Sequence, residues 1–569
     1  MKISDAKKVL KKIWGYDSFL EHQENVINSI ISSNDTMAFL PTSGGKSICF
    51  QIPGILSGGT TLVISPLISL ISDQVKKLNN LGIPSIALVG DYDSKYWNTQ
   101  LDKIINGDYY FVYISPERVL SARFLERIKY LPISILAIDE AHCVSQWGHD
   151  FRPSYVKLSK IRKILMDVPC IALSASVTNA VVDDIKEILS MENARIIKGS
   201  FFRPNLSVNI FTVSSKESEL KKLISPENGK QIIYCRTRSQ TSIWLKNLKK
   251  SGINALPYHA GLSMEVRQKN QEEWANGKIN CMVATNAFGM GVDQSNVRQV
   301  IHIDIPQSIE SLYQEIGRAG RDRKISHSYL IVENKDIKSF KSRLVKNEIS
   351  WNALHDAYHK IASVGQIAVG DGKGFRQKIN IQELSQKLGV IKSRFKEILE
   401  KLVNEGVFIL HDDYKSKSQV IINFSGTELV EKLNNLDNYS DVAYSLARNL
   451  PMSNGRWVNF SIKSISNWTK RPLSEVYLSL NKLSENGIID WADLDSQMVL
   501  EWKYPREPEG HLSVNRSIID LQIQSKKTKA DAILNLISSK NCLFEDILSY
   551  FGENGNGNSC LNCSNCSKS

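Results

Sequence analysis

The stretch TMAFLPTSGGKSICFQIPGIL (residues 36–56) decides the architecture. A short apolar run, TMAFL, leads into a small-residue loop ending Gly44-Gly45-Lys46-Ser47, and a helical pattern follows. In that order, backbone N–H groups can wrap a phosphate while the helix N-terminus adds partial positive charge. Lys46 is then placed to reach the β- and γ-phosphates of a nucleoside triphosphate, and the Ser47 hydroxyl to bind Mg²⁺. The long form of this signature has a glycine five residues before Gly45, where this chain has Leu40. A degraded loop, a chance Gly-Lys-Ser and a shorter version of the device all fit the stretch alone.

Outward from the loop, short apolar runs alternate with longer amphipathic stretches from 36 to 333. TMAFL, TTLVIS, YYFVYIS, ILAIDE and CIALSAS are followed after residue 200 by QIIYCRT, CMVATN, VIHID and SYLIVE. None is polar on one face, as in parallel strands covered on both sides. Strands spaced by helical patterns predict βαβ units. FFRPNLSVNIF (201–211) interrupts the rhythm and marks a join between two α/β domains.

Beyond about residue 340 the pattern turns helical and lysine-rich, without buried strand runs. SRFKEILEKLVNEGVF (393–408) and SEVYLSLNKLSENGII (474–489) repeat, with Leu399, Lys401, Leu402 and Gly406 matching Leu480, Lys482, Leu483 and Gly487. Each is an amphipathic helix closed by a glycine, and a shorter helical stretch (IQELSQKLG; SIKSISNWT) precedes each. That outlines two helix-turn-helix units, winged or plain, with DNA contact by at least one; a simple helical hairpin has the same pattern. VGDGKGFRQ (369–377) reads as an exposed loop.

The 569 residues exceed one hydrophobic core, so several domains are expected. No run of 18 apolar residues offers a membrane span, and MKISDAKKVLKKIWGY reads as an amphipathic helix, not a signal peptide. Seventy-one basic against 59 acidic residues give a net charge of +12, which favours polyanions, nucleic acid first. Of nine cysteines, Cys49, Cys143, Cys170, Cys235 and Cys281 sit singly in apolar surroundings, as in a reducing, cytoplasmic compartment.

Two further clusters join the phosphate loop. Asp139-Glu140 ends the strand run ILAIDE, where an open α/β sheet has its ligand crevice. Carboxylates there are costly unless they meet a cation, so Asp139 suits Mg²⁺ and Glu140 the attacking water. In QEIGRAGRDR (314–323), Arg318 and Arg321 share a helix face and can stabilise charge on a transferring phosphoryl group. ATP would then lie between the two α/β domains, and closure on it would drive domain motion.

At this point the residues resemble a known family. DEAHCVSQWGHDFRPSY (139–155) is similar to the DEAH box and aromatic-rich loop of RecQ DNA helicases. SPLISLISDQV (65–75), YISPERV (113–119), YHAGLS (258–263), ATNAFGMGVD (284–293) and QEIGRAGRDR follow in that family's order. By this resemblance Trp147, His149, Phe151 and Arg152 sense single-stranded DNA and couple it to hydrolysis, an exposed aromatic being a stacking platform. Tyr16 and Gln23 match the adenine-reading segment, with Leu20 where arginine is usual. Thr42, Ser43, Gly44, Gly45, Lys46, Ser47, Gly291 and Asp293 are the remaining nucleotide contacts it implies. PTSGGKS then resembles the shorter helicase loop, with Ser43 in place of a usual glycine, and SASVT (174–178) is an altered third motif.

Cys560, Cys563 and Cys566 form C-x2-C-x2-C, with Cys542 upstream, a spacing that suits a structural Zn²⁺. SYFGE (549–553) resembles a phrase of the family's zinc module. The expected architecture is two RecA-like parallel-sheet motor domains (1–200 and 201–345), then helix-turn-helix-like or winged-helix-like segments (346–430 and 431–505). A helical zinc module (506–569) completes it. The expected activity is ATP-dependent, 3′-to-5′ unwinding of DNA in repair or recombination, with ATP, Mg²⁺ and Zn²⁺ as cofactors. Single-stranded and duplex DNA are the expected partners, and no membrane. A DEAH-type RNA helicase and a DNA-binding scaffold with a silent motor are the alternatives.

Overall fold

Apolar runs with no polar face belong in sheets covered from both sides, and the computed structural model of the chain contains two. It describes residues 2–41, 44–90, 94–148, 151–175, 177–224, 229–289, 294–346, 348–411, 418–424, 426–433, 439–450, 457–492, 497–555 and 560–567. The chain divides into two units, Met1–Glu348 with Gln524–Ser569, and Ile349–Ile523.

In the first unit, the first sheet comprises β1 (Thr36–Phe39), β2 (Thr60–Ile64), β3 (Ser85–Leu88), β4 (Phe111–Ile114), β5 (Ile133–Ile138), β6 (Cys170–Ser174) and β7 (Arg195–Lys198). All pairings are parallel, in the order β3-β4-β2-β5-β6-β1-β7. Alternate residues feed opposite cores: Met37, Phe39, Leu62, Ile64, Leu136 and Ile138 pack on one face, Ala38, Val63, Ala137, Ile171 and Leu173 on the other. Because β5, β6 and β1 are parallel neighbours, the residues after Ile138, Ser174 and Phe39 emerge at one edge. That edge is where an open α/β sheet binds ligands.

The second sheet, also all parallel, comprises β8 (Leu206–Thr212), β9 (Lys230–Tyr234), β10 (Ala255–Tyr258), β11 (Cys281–Ala284), β12 (Val297–His302) and β13 (Ser326–Val332). Its order is β10-β11-β9-β12-β13-β8. The segment that interrupts the apolar rhythm thus contains a strand, β8, which alternates Leu206, Val208 and Ile210 with Ser207 and Asn209 because it lies at the sheet edge. The cysteine module covers that edge. Val208 N donates to Asn562 O at 3.3 Å, Ser564 N to Val208 O at 3.1 Å, and Ile210 N to the Ser564 hydroxyl at 3.1 Å. Phe544, Ile547, Leu548, Phe551 and Cys563 belong to the same core as Leu206, Ile232 and Leu330. Glu553 accepts from Ser200 Oγ at 2.5 Å and Phe201 N at 2.8 Å.

The second unit contains strands too short to read as runs: β14 (Arg376–Asn380), β15 (Phe408–His411), β16 (Ser418–Ile422), β17 (Val458–Phe460), β18 (Ile489–Ala492) and β19 (Gln497–Trp502). Both expected helix pairs are present, Ile381–Lys387 with Lys392–Asn404 and Ile462–Thr469 with Leu473–Glu485. Gly406 (φ +79°) and Gly487 (φ +66°) follow their ends in the left-handed conformation. The segments drawn at 346–430 and 431–505 are nested, not consecutive. β19 pairs antiparallel with both β14 and β15, so the chain between His411 and Gln497 is an insertion in the wing of the outer module. Within it, β16 pairs with β17 and β18, supplying the third strand from ahead of the helices instead of after them. Each module is a winged helix, the inner one with its strand order permuted.

Their cores share no residue: Trp502, Phe408, Tyr358 and Phe395 serve the outer module, and Val420, Phe460, Ile465 and Leu480 the inner. Excising 412–496 and closing β15 to β19 with a short Asn-Gly turn should therefore leave the outer module folded. Amide-exchange protection of 376–380 and 497–502 reads this out. Its loss would show that the inner module completes the outer core.

Candidate active site

The phosphate loop is shaped by a buried glutamine. Gln23 Nε2 donates to Gly44 O at 3.3 Å and Gly45 O at 3.0 Å, while Leu20 N donates to Gln23 Oε1 at 2.8 Å. Gly45 lies at φ +63°, and a Cβ there would stand 2.3 Å from Gln23 Nε2, so any other residue would be strained and would displace the glutamine. The helix Ile48–Leu56 starts directly after Ser47. Tyr16 is exposed, whereas Gln23 sits on the loop backbone. Thr42 and Ser43 lie outside the described residues.

Asp139 ends β5 with its N–H on Ile64 O at 2.9 Å. Its carboxylate accepts from the Ser65 hydroxyl at 3.3 Å and the Glu140 N–H at 3.0 Å. Burial pushes this carboxyl up to about 7, the neighbouring Glu140 charge adds to the rise, and the Lys46 ammonium opposes it. A buried acid relieved by a nearby lysine calls for more positive charge, so the donor set of Asp139 and Ser47 fits a hard cation such as Mg²⁺. Glu140 is at φ +48°, and its Oε2 is buried without a hydrogen-bond partner among the described residues, 3.3 Å from His142 Nδ1. His142 Nδ1 shares a 2.8 Å hydrogen bond with the Ser174 hydroxyl at the end of β6, tying the acidic box to SASVT. The sequence reading missed Ser65 and Ser174 as partners, although both lie in phrases it singled out.

The aromatic-rich loop is bound to the acidic box at several points. Arg152 N donates to Cys143 O at 3.0 Å, Gly148 N to Ser145 O at 3.0 Å, and the Tyr155 hydroxyl to Asp139 O at 2.9 Å. Arg152 Nη1 reaches Pro66 O at 2.9 Å. The indole of Trp147, expected to stand exposed, is half-buried and packs on the core of the first sheet. Phe151 and Arg152 are also half-buried. His149 lies outside the described residues.

Arg318 is buried, donates Nη1 to Gly289 O, and leaves Nε without a hydrogen-bond partner among the described residues. Gly289 makes room for it, since a Cβ there would meet Nη2 at 2.6 Å. Arg318 is thus bonded within its own domain, beside ATNAFG, and the positive charges of Arg318 and Arg321 both act on the Tyr234 hydroxyl. Gly291 and Asp293 lie outside the described residues.

The four C-terminal cysteines converge, their Sγ atoms all within 4.8 Å of one another. Thiolates ~2.3 Å from a tetrahedral Zn²⁺ stand about 3.8 Å apart, so the set fits a closed zinc site. Asn562 N–H points at Cys560 Sγ at 3.4 Å, a bond that stabilises a thiolate ligand.

The DEAD/DEAH box helicase family model matches residues 20–185, the helicase conserved C-terminal domain residues 215–323, and the RecQ zinc-binding model residues 513–567. The ATP-dependent DNA helicase RecQ of Haemophilus influenzae is 39% identical over 365 residues, 64% of this chain and 59% of that protein. The probable ATP-dependent DNA helicase RecS of Bacillus subtilis is 39% identical over 58% of this chain and 67% of that protein. The chain thus spans less than two thirds of the first of these relatives. Among solved structures, the DUF1998 helicase MrfA bound to DNA and AMPPNP is alike in fold, with a TM-score of 0.50 at 20% identity over 73% of this chain and 60% of that one. Paired helicase domains occur in many families; the zinc-binding match at the four cysteines and the identity to RecS narrow the choice to one, and the chain belongs to the RecQ helicase family.

Proposed function

We propose that the chain is an ATP-driven DNA helicase that moves 3′ to 5′ on single-stranded DNA and unwinds duplexes in repair or recombination. The observation that carries the reading is the hydrogen-bonded continuity between the aromatic-rich loop and the acidic box, through Arg152–Cys143 and Tyr155–Asp139. A strand that moves the loop moves the carboxylates.

In this reading the motor domains are 1–200 and 201–345. The Gly44–Ser47 backbone and Lys46 bind the phosphates, and Tyr16 receives the adenine. Gln23 shapes the loop from behind. Ser47 and Asp139 hold Mg²⁺, which supplies charge neutralisation on the phosphates. Glu140, whose Oε2 has no hydrogen-bond partner among the described residues, orients the attacking water and takes its proton. Arg318 and Arg321 stabilise charge on the γ-phosphoryl oxygens when the domains close, with Gly291 and Asp293 beside them. Trp147 and Phe151 stack on bases, and His149 and Arg152 meet the backbone. Zn²⁺ on Cys542, Cys560, Cys563 and Cys566 fixes the module that caps β8. The singly buried cysteines suit a reducing compartment, which supports the cytoplasm as the place of work.

One relative, in Acanthamoeba polyphaga mimivirus, carries the name putative ATP-dependent RNA helicase R290 at 41% identity, so RNA is the alternative track. Single-stranded DNA should stimulate ATP turnover more than RNA of the same length, and the reverse order would transfer the motor to RNA. On tailed duplexes, unwinding should require a 3′ tail, and Glu140→Gln should lower stimulated turnover by about 10²–10⁴-fold while retaining ATP binding. Stripping zinc with a chelator should lower the melting temperature of the first unit and raise amide exchange in β8. A melt indifferent to the metal would remove the cysteines from structural duty.

A further inference from the structure

The helix Arg516–Ser538 reaches the aromatic-rich loop from the zinc module. Lys529 donates Nζ to Gly148 O at 2.6 Å, and one turn earlier Ser525 directs its hydroxyl to Gln146 O at 3.4 Å. The two carbonyls flank Trp147, so the helix holds the backbone on both sides of the residue assigned to DNA stacking. That backbone has little slack. A Cβ on Gly148 would stand 2.1 Å from His142 O, and Trp147 N donates at 3.0 Å to a Ser145 hydroxyl that is itself bonded to Asp184 at 2.5 Å.

Lys529 also feels charge from the second domain. Burial lowers its proton affinity, the neighbouring Lys526 lowers it further, and the Glu310 carboxylate is the charge that supports it. Glu310 is buried in the first turn of the helix Ile309–Ile316, which runs into Gly317–Arg321. It accepts from the Tyr550 hydroxyl at 2.9 Å, while its Oε2 has no hydrogen-bond partner among the described residues. The half-buried Lys529 ammonium is thus bonded to a loop carbonyl of the first domain, while Tyr550 of the same module is bonded to a buried carboxylate on the helix leading to Arg318.

We propose that Lys529 is a positioning residue that latches the aromatic-rich loop in its docked state and releases it when DNA draws the loop away. No bond to substrate is involved: Nζ gives up the Gly148 carbonyl, and the zinc module, whose Tyr550 holds Glu310, links the loop to the helix that leads into Gly317–Arg321. The inference rests on the reading of the loop as a DNA sensor. It goes beyond that reading in assigning the coupling to a residue outside both motor domains.

The test compares zinc-loaded full-length Lys529→Met, Lys529→Arg, Ser525→Ala and Trp147→Ala with the parent, using an oligothymidylate as the DNA. Losing a charge-assisted hydrogen bond shifts the docked–undocked balance by about tenfold. Lys529→Met should accordingly raise DNA-free ATP turnover roughly three- to tenfold and lower the ratio of stimulated to DNA-free turnover by a similar factor. Lys529→Arg, which keeps a cationic donor, should restore much of that ratio. Ser525→Ala should move both quantities the same way by less, and it keeps the test open should Lys529→Met fail to fold. Stimulation ratios unchanged in both Lys529→Met and Ser525→Ala, with Trp147→Ala unable to respond to DNA, would overturn the latch alone. A Trp147→Ala variant stimulated as well as the parent would overturn the sensor reading beneath it. A purely structural Lys529 would lower DNA-free and stimulated turnover together and leave their ratio intact, which also overturns the proposal.

Discussion

A carboxylate kept away from water at the end of a buried strand is the constraint around which the first domain is organised. Among the described residues a serine hydroxyl and one backbone N–H donate to the Asp139 carboxylate, and burial holds its proton affinity far above that of a free aspartate. Such a group is tolerable where cations converge, and the strand order β5-β6-β1 brings Lys46 to the same sheet edge. Ser174, ending the strand between them, is spent on His142. All three strand ends thus serve one charge problem. Movement of residues 143–155 acts on it directly, because the Tyr155 hydroxyl is bonded to the carbonyl of Asp139 itself.

The second sheet has a different problem, an edge. β8 pairs on one side only with β13, and an open strand edge invites association with other chains. Asn562 and Ser564 take up hydrogen bonds of Val208 and Ile210 along it, and the module adds Phe544, Ile547 and Phe551 to the sheet's own core. The cysteine cluster is therefore a clasp that ends the sheet, not an appendage. It also sets the position of the helix Arg516–Ser538, whose Ala530, Ile533 and Leu536 lie in that core and whose Ser525 and Lys529 touch the first domain.

What could be read in advance follows how local each signal is. The strand runs, the phosphate loop, the acidic box and the cysteine spacing are contiguous patterns, and the elements stand where those patterns lie. Gly406 and Gly487 marked their helix ends because a left-handed residue is a local requirement. β8 was hidden because an edge strand alternates with polar residues and lacks a continuous apolar run. The nested winged helices were illegible for another reason: β15 and β19 pair across the whole inserted module, and nothing near either strand names its partner. Trp147 misled in the same way. Its sequence neighbours are polar, but its indole meets a core built from residues far away in the chain.

Arg318 extends the logic of the buried charge to the second domain. The Arg318 guanidinium, seated on the Gly289 carbonyl and the Tyr234 hydroxyl, keeps Nε unpartnered among the described residues, which is costly for a buried cation. Gly289 is what permits the seat, so the loop ATNAFG and the arginine form one piece whose geometry is set before any nucleotide arrives. Under-satisfied groups of opposite sign, Glu140 Oε2 in the first domain and Arg318 Nε in the second, are each costly alone. In the function proposed above, a transferring phosphoryl group with its attacking water offers hydrogen bonds to both, which favours the state that brings them to a common ligand. In that reading, domain closure is favoured by relief of desolvation already present in the resting protein.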